Sequence, residues 1–252
     1  MKIAKMSYKN FNQYLVLKIM VLCGCILVFS FCSKAEMDKI NPIPIDTVDS
    51  TQGLRYLALG DSYTIGEDVA ETESYPFQLF DKLKQSGIPV NMHKIIARTG
   101  WTTADLKNGI TQEKVDSNWH LVSLLIGVNN QYRGQPISRF ETEFRQLLEW
   151  AIALADGKPE RVFVVSIPDY GVTPFGINSG KGPLISMELD NYNSIKENIA
   201  GEYNVAFYYI TDISRQAEND PSLLASDKLH PSGKMYKLWL DRFFADVLKM
   251  VE

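Results

Sequence analysis

The sequence predicts an α/β domain: a three-layer α/β/α sandwich built on a central, mostly parallel five-stranded sheet. Three observations lead there. Five short apolar runs, at 55–59, 90–97, 121–126, 161–167 and 205–210, alternate with amphipathic stretches of helical length. Runs such as Leu121-Val122-Ser123-Leu124-Leu125-Ile126 show no clean apolar/polar alternation, which suits parallel strands covered on both faces. The unusual polar residues follow the runs, so they collect at one edge of such a sheet.

Composition sets the limits. The chain has 252 residues, of which 45% are hydrophobic and 22% charged, enough for one domain with a sizeable core and too apolar for a disordered chain. The formal charge is −4. Residues 1–31 hold four lysines and no acid, so the remainder carries 22 basic and 30 acidic residues, a charge of −8. Such a body lacks the basic footprint that nucleic-acid binding requires.

Taken in order, the first segment reads as an export signal. A lysine-bearing stretch ends at Lys18, and the apolar run 19–31 is too short for a comfortable membrane span. Cys32 follows and resembles the lipid-attachment cysteine of bacterial lipoproteins, although Phe31 departs from the small residue usual before it. Cys25, which follows a glycine, is the alternative processing site, and an uncleaved anchor or plain secretion are the other readings of this segment. All three cysteines (Cys23, Cys25, Cys32) lie here, so the body has no disulfide framework, no cysteine metal site and no thiol nucleophile. Residues 32–53, with Pro42 and Pro44 and no helical period, read as the attachment cysteine and a tether. The expectation is an exported cell-envelope lipoprotein with its domain over 54–252.

Within the body, the run 55–59 leads into Gly60-Asp61-Ser62-Tyr63-Thr64. The helical pattern Tyr75–Gln85 is closed by Gly87, and the run 90–97 leads to Thr99-Gly100-Trp101. The third run leads to Gly127-Val128-Asn129-Asn130. A helix is expected from Ser138, with Glu141 at capping-box spacing, apolar residues from Phe140 to Ala155 at helical spacing, and Gly157 at its end. The fourth run leads to Pro168-Asp169-Tyr170 and a loop over 170–183 with four glycines. A helix over 186–200 precedes the fifth run. After Asp227-Lys228-Leu229-His230, a last helix starts near Ser232, with Met235, Trp239, Phe243 and Val247 on one stripe. These aromatic and methionine positions read as core.

In an open parallel sheet, ligands bind outside the carboxyl ends of the strands, and that rule selects these polar clusters. Gly60–Thr64 with Ser62, Thr99-Gly100, Gly127–Asn130 with Asn129, and Asp227–His230 together resemble, in order, the blocks of the SGNH, or GDSL, hydrolases. They span most of the chain beyond the tether. The resemblance implies the flavodoxin-like SGNH fold and an esterase or lipase-like activity without a cofactor. It puts the family's serine, glycine, asparagine and histidine on Ser62, Gly100, Asn129 and His230, with Asp227 as the acid. Asn130, where the family often has Asp, and Tyr63, where it often has Leu, are departures.

The chemistry of the residues supports the same assignment. Acyl transfer needs a nucleophile, a base and oxyanion donors. Of three histidines, His93 lies inside the second run and His120 precedes the third, whereas His230 is in a loop restrained by Pro231. Asp227, three residues earlier, is near enough to hold the imidazole, and Asp212 is its rival. Ser62 N–H, Gly100 N–H and the Asn129 amide would form the oxyanion hole, while Asp61 reads as a cap. No Gly-x-Ser-x-Gly, P-loop or metal-ligand spacing occurs. The expected reaction is ester hydrolysis through an acyl-enzyme, on short acyl groups such as O-acetyl esters of carbohydrates. A lysophospholipase or thioesterase is the enzymatic alternative. A flavodoxin-like phosphate binder or a catalytically dead carbohydrate-binding relative is the non-enzymatic one. Trp101, Tyr132, Tyr170 and Phe175 are the aromatic candidates for contact with a sugar or acyl chain, each as readily ordinary packing.

Overall fold

The computed structural model describes residues 53–252. The expected export signal, both candidate processing cysteines and the tether up to residue 52 lie outside the described residues. Five strands, β1 (Leu54–Gly60), β2 (Val90–Ala97), β3 (Leu121–Leu125), β4 (Val162–Val165) and β5 (Ala206–Tyr208), form one sheet in the order β2-β1-β3-β4-β5. Every neighbouring pair is parallel. The central strands β1, β3 and β4 are buried along their whole length, while the edge strands β2 and β5 are largely half-buried. Helices on both faces leave a central strand no solvent side, so its sequence has no reason to alternate.

The helices are α1 (Ser62–Ile65), α2 (Tyr75–Gln85), α3 (Thr103–Gln112), α4 (Val128–Tyr132), α5 (Ile137–Leu154), α6 (Pro174–Asn178), α7 (Gly182–Glu202), α8 (Thr211–Arg215) and α9 (Gly233–Val251). α2 packs on α9, where the rings of Tyr75, Tyr236 and Trp239 meet. α5 packs on both α3 and α7. In α9, Met235, Trp239, Phe243 and Val247 are all buried, as the stripe predicted, and Ser232 caps the helix by accepting from Met235 N–H.

Several boundaries differ from the sequence expectation. Ser138 is not a cap. α5 begins at Ile137, with Pro136 at the N-cap position and no side-chain cap bond. Ser138 is the second residue of the helix, so it lies inside the first turn and not at the position from which a hydroxyl can accept from the first free N–H groups. α7 begins at Gly182, four residues before the expected start, with Pro183 in its first turn. The fourth and fifth strands are shorter than their apolar runs, because pairing ends before burial does.

Candidate active site

The strand order reverses between β1 and β3, which stand on either side of a topological switch point, where the crevice of such a sheet opens. β1 delivers Ser62 and β3 delivers Asn129 there. Gly60 ends β1 where no side chain fits: a Cβ on it would lie 2.0 Å from Thr64 Oγ1 and 2.4 Å from the Leu125 carbonyl. Asp61 then caps α1, its Oδ1 accepting from Tyr63 N–H at 3.1 Å. Ser62 is therefore the first residue of a helical turn, where a backbone N–H has no intrahelical acceptor.

At the other end of the chain, residues 225–230 form a closed loop. Ala225 N–H donates to the His230 carbonyl at 2.8 Å, and Lys228 adopts a left-handed φ of 58°. His230 Nδ1 lies 2.5 Å from Asp227 Oδ2, and its Nε2 lies 3.0 Å from Ser62 Oγ. A carboxylate only accepts, so Nδ1 carries the proton and Nε2 is left to accept from the serine hydroxyl. Partial burial pushes the Asp227 carboxyl up. The His230 side chain and the N–H groups of His230 and Leu229 outweigh it and hold the carboxyl below its ordinary value. Asp227 thus stays ionised opposite the imidazole. Asp212, its rival, is instead bound by both terminal nitrogens of Arg242 at 3.0 and 2.9 Å.

Gly100 has φ 81°, a left-handed conformation that L side chains rarely adopt, and Arg133 donates to its carbonyl at 2.5 Å. Asn129 Nδ2 donates to the Trp101 carbonyl at 3.0 Å, which uses one of its two amide hydrogens and fixes the side chain. Asn130 is fully buried. It accepts from Thr103 N–H at 3.0 Å and donates to Thr103 Oγ1 at 2.7 Å and Gln135 Oε1 at 2.9 Å. An aspartate would lose both donations, so the departure at this position is matched to its neighbours.

Ser62, Gly100, Asn129 and His230 line one pocket of about 280 Å³. Tyr132, Tyr170 and Phe175 line it too, their ring centroids 6.1–6.3 Å apart in a triangle. Tyr170 is buried and donates to Gln131 Oε1 at 2.7 Å, whereas Tyr132 and Phe175 are 59% and 44% exposed. Trp101 is a packing residue: its ring covers Gly109, where a Cβ would lie 2.3 Å from it. His93 sits among the rings of Phe77 and Phe80, and His120 Nδ1 accepts from Arg55 N–H, so neither joins the site.

Beneath the serine lies a feature that sequence reasoning missed. Lys196, fully buried on α7, donates to the carbonyls of Ile126 at 3.3 Å and Val165 at 2.7 Å. Burial pulls its ammonium down to about 7, against the pull of Asp61. Burial likewise pushes the Asp61 carboxyl up to about 7, countered in part by Tyr63 N–H and Lys196. The signal was available: Lys196 falls on the same helical stripe as Leu189, Tyr192, Ile199 and Ala200.

A search of the curated proteins returns no match. Solved structures with the same fold include TesA, at 14% identity and TM-score 0.61, covering 78% of this chain and 99% of that one. The acetylxylan esterase Axe2 from Geobacillus stearothermophilus is 20% identical, with TM-score 0.58 and coverage of 78% and 94%. The psychrotrophic esterase EstA from Pseudoalteromonas sp. is also 20% identical, with TM-score 0.54 and coverage of 77% and 97%. Residues 58–238 match the profile of the GDSL-like lipase/acylhydrolase family, a span that contains every site residue described above except those of the expected lipid anchor. The chain belongs to that family and is an SGNH-type ester hydrolase.

Proposed function

We propose that the chain hydrolyses carboxylic esters through an acyl-enzyme on Ser62, and that its substrates carry short acyl groups such as the O-acetyl esters of carbohydrates. The observation that carries the mechanism is the relay in one pocket: Asp227 Oδ2 to His230 Nδ1 at 2.5 Å, and His230 Nε2 to Ser62 Oγ at 3.0 Å. Ser62 Oγ attacks the ester carbonyl as His230 Nε2 takes its proton. Negative charge on the former carbonyl oxygen is met by Ser62 N–H, Gly100 N–H and the second amide hydrogen of Asn129. One such donor contributes about 3 kcal/mol to the transition state. His230 returns the proton to the leaving alcohol. It then activates a water that releases the acyl group and regenerates the serine.

The short-acyl reading is supported by the pocket's modest volume, which an acyl group shares with the near part of the alcohol. The exposed rings of Tyr132 and Phe175 offer apolar faces to a sugar at its mouth. Acetylxylan esterases among the structures of the same fold add to it. One observation favours the longer-chain reading, a lysophospholipase or thioesterase: Ile177, Leu184 and Met187 are exposed on α6 and α7, the two helices that carry and follow Phe175 in the chain.

A fluorophosphonate probe tests the nucleophile. It should label the protein once, on Ser62, and Ser62→Ala should abolish labelling. Labelling that survives the substitution assigns the nucleophile elsewhere.

A further inference from the structure

Ser62, Gly100 and the Asp227–His230 pair stand on three separate segments of the chain. A reactive constellation has to be held to roughly half an ångström, so something must fix those segments to one another. The stretch leaving α1 makes contact with both of the others. Gly66 and Asp68 have φ of 77° and 63°, so the backbone enters the left-handed region twice in three residues. Glu67 accepts a hydrogen bond from Thr99 Oγ1, next to Gly100. Asp68 Oδ2 accepts from Ser226 Oγ at 2.6 Å and from Asp227 N–H at 2.7 Å.

We propose that Asp68 is a positioning residue for this reaction, tying the acid–base loop to the nucleophile segment through its carboxylate; the proposal rests on the reading of Ser62, Asp227 and His230 given above. Three features separate this role from ordinary surface packing. Asp68 is exposed and absent from the core, so its side chain fills no space that folding needs. It holds a left-handed backbone that glycine would hold without strain, so what the aspartate adds is its carboxylate. Both of its donors belong to the acid–base loop, and one is the main-chain N–H of Asp227 itself.

The loop closes on itself through Ala225 N–H to the His230 carbonyl and Lys228 N–H to the Ala225 carbonyl. Without Asp68 it would keep its internal shape and lose one of its ties to the segment that carries Ser62. The consequence is a displaced imidazole and not an unfolded protein.

Two substitutions separate the possibilities. Asp68→Gly removes the acceptor and relaxes the backbone. Asp68→Asn keeps an acceptor oxygen and tolerates the left-handed conformation. The readouts are the rate of Ser62 labelling by a fluorophosphonate, kcat and KM on p-nitrophenyl acetate, and the thermal midpoint. Asp68→Gly should slow labelling and lower kcat by about tenfold or more with little change in KM, while its midpoint stays level or rises. Asp68→Asn should remain within about threefold of the unmutated protein on both rates. A glycine variant within that same margin would overturn the proposal. So would an asparagine variant as impaired as the glycine one, or a loss of activity that tracks a falling midpoint. If the unmutated protein is neither labelled nor active, the Ser62 reading itself fails, and this inference goes with it.

Discussion

Asp61 and Lys196 are both fully buried, and Asp61 Oδ2 has no hydrogen-bond partner. A neutral carboxyl bears that isolation far better than an ionised one, which is why burial dominates the upward shift of Asp61. The linkage to stability has a definite sign. The carboxyl's ordinary value of 3.8 rises to about 7 in the folded chain. Between those limits the native state holds a proton that the unfolded chain has released, so stability falls as pH rises through the window. Asp61→Asn keeps the Oδ1 acceptor for Tyr63 N–H but has no proton to lose. Urea unfolding at several pH values should show the unmutated protein losing stability relative to Asp61→Asn from about pH 4 to about pH 7. A difference that stays flat across that range would mean that Asp61 ionises normally. Ser62, His230 and Asp227, which the fold brings within hydrogen-bond reach of one another, were legible as candidates because each is rare or conspicuously placed: there are three histidines, one of them three residues after an aspartate in a loop. Lys196 and Asp68 were not, because their meaning depends on what surrounds them. A lysine on an apolar stripe and an aspartate two residues after a glycine are ordinary until the fold shows their partners.

Among the elements, the turn from β1 into α1 does the most to set the site, and it is built on absence of side chain. A methyl group on Gly60 would meet both Thr64 Oγ1 and the backbone carbonyl of Leu125. Rotating the threonine would move its hydroxyl but not its Cβ, which would lie 2.8 Å from the methyl, and the carbonyl, part of β3, cannot move without disturbing the sheet. Gly60→Ala should therefore lower stability by about 1–3 kcal/mol, the ordinary cost of overpacking, and move Ser62 as well. Thermal or chemical unfolding checks it, and a change below about 0.5 kcal/mol would mean that the turn yields more easily than its packing implies. The long elements were readable from pattern: α2 keeps its expected bounds, and α9 buries the expected stripe. The short helices α1, α4, α6 and α8 have too few turns to show a period in the sequence, and α6 lies within the expected loop over 170–183. α3 carries a start signal in the sequence, the Thr102 and Asp105 spacing, which forms a true capping box. The Ser138 and Glu141 pair has the same spacing and forms none, because the helix begins at Ile137 and Ser138 already lies within it.

At the scale of the molecule, alternation of apolar and amphipathic runs was enough for the class of fold, but not for the order of strands. That order decides which loops face each other, and it brings the ends of β1 and β3 together at the switch point, with Ser62 and Asn129 on either side. The same arrangement leaves one flank of the pocket to α4 and the segment 170–178, from which the aromatic triangle comes. Tyr170 is buried and hydrogen-bonded, so it reads as the base of that flank, while Tyr132 and Phe175 form its exposed rim. If the rim stacks on a sugar, its contribution should depend on the alcohol half of the ester. Tyr132→Ala and Phe175→Ala should each lower kcat/KM for an acetylated oligosaccharide by about tenfold, equivalent to roughly 1.4 kcal/mol of transition-state binding. Both should leave p-nitrophenyl acetate within about threefold, because its small alcohol reaches less of the rim. Equal losses on the two substrates would assign the rings to the reacting centre. A loss that grows with acyl length in a p-nitrophenyl ester series would instead assign them to the acyl chain and would favour the longer-chain reading.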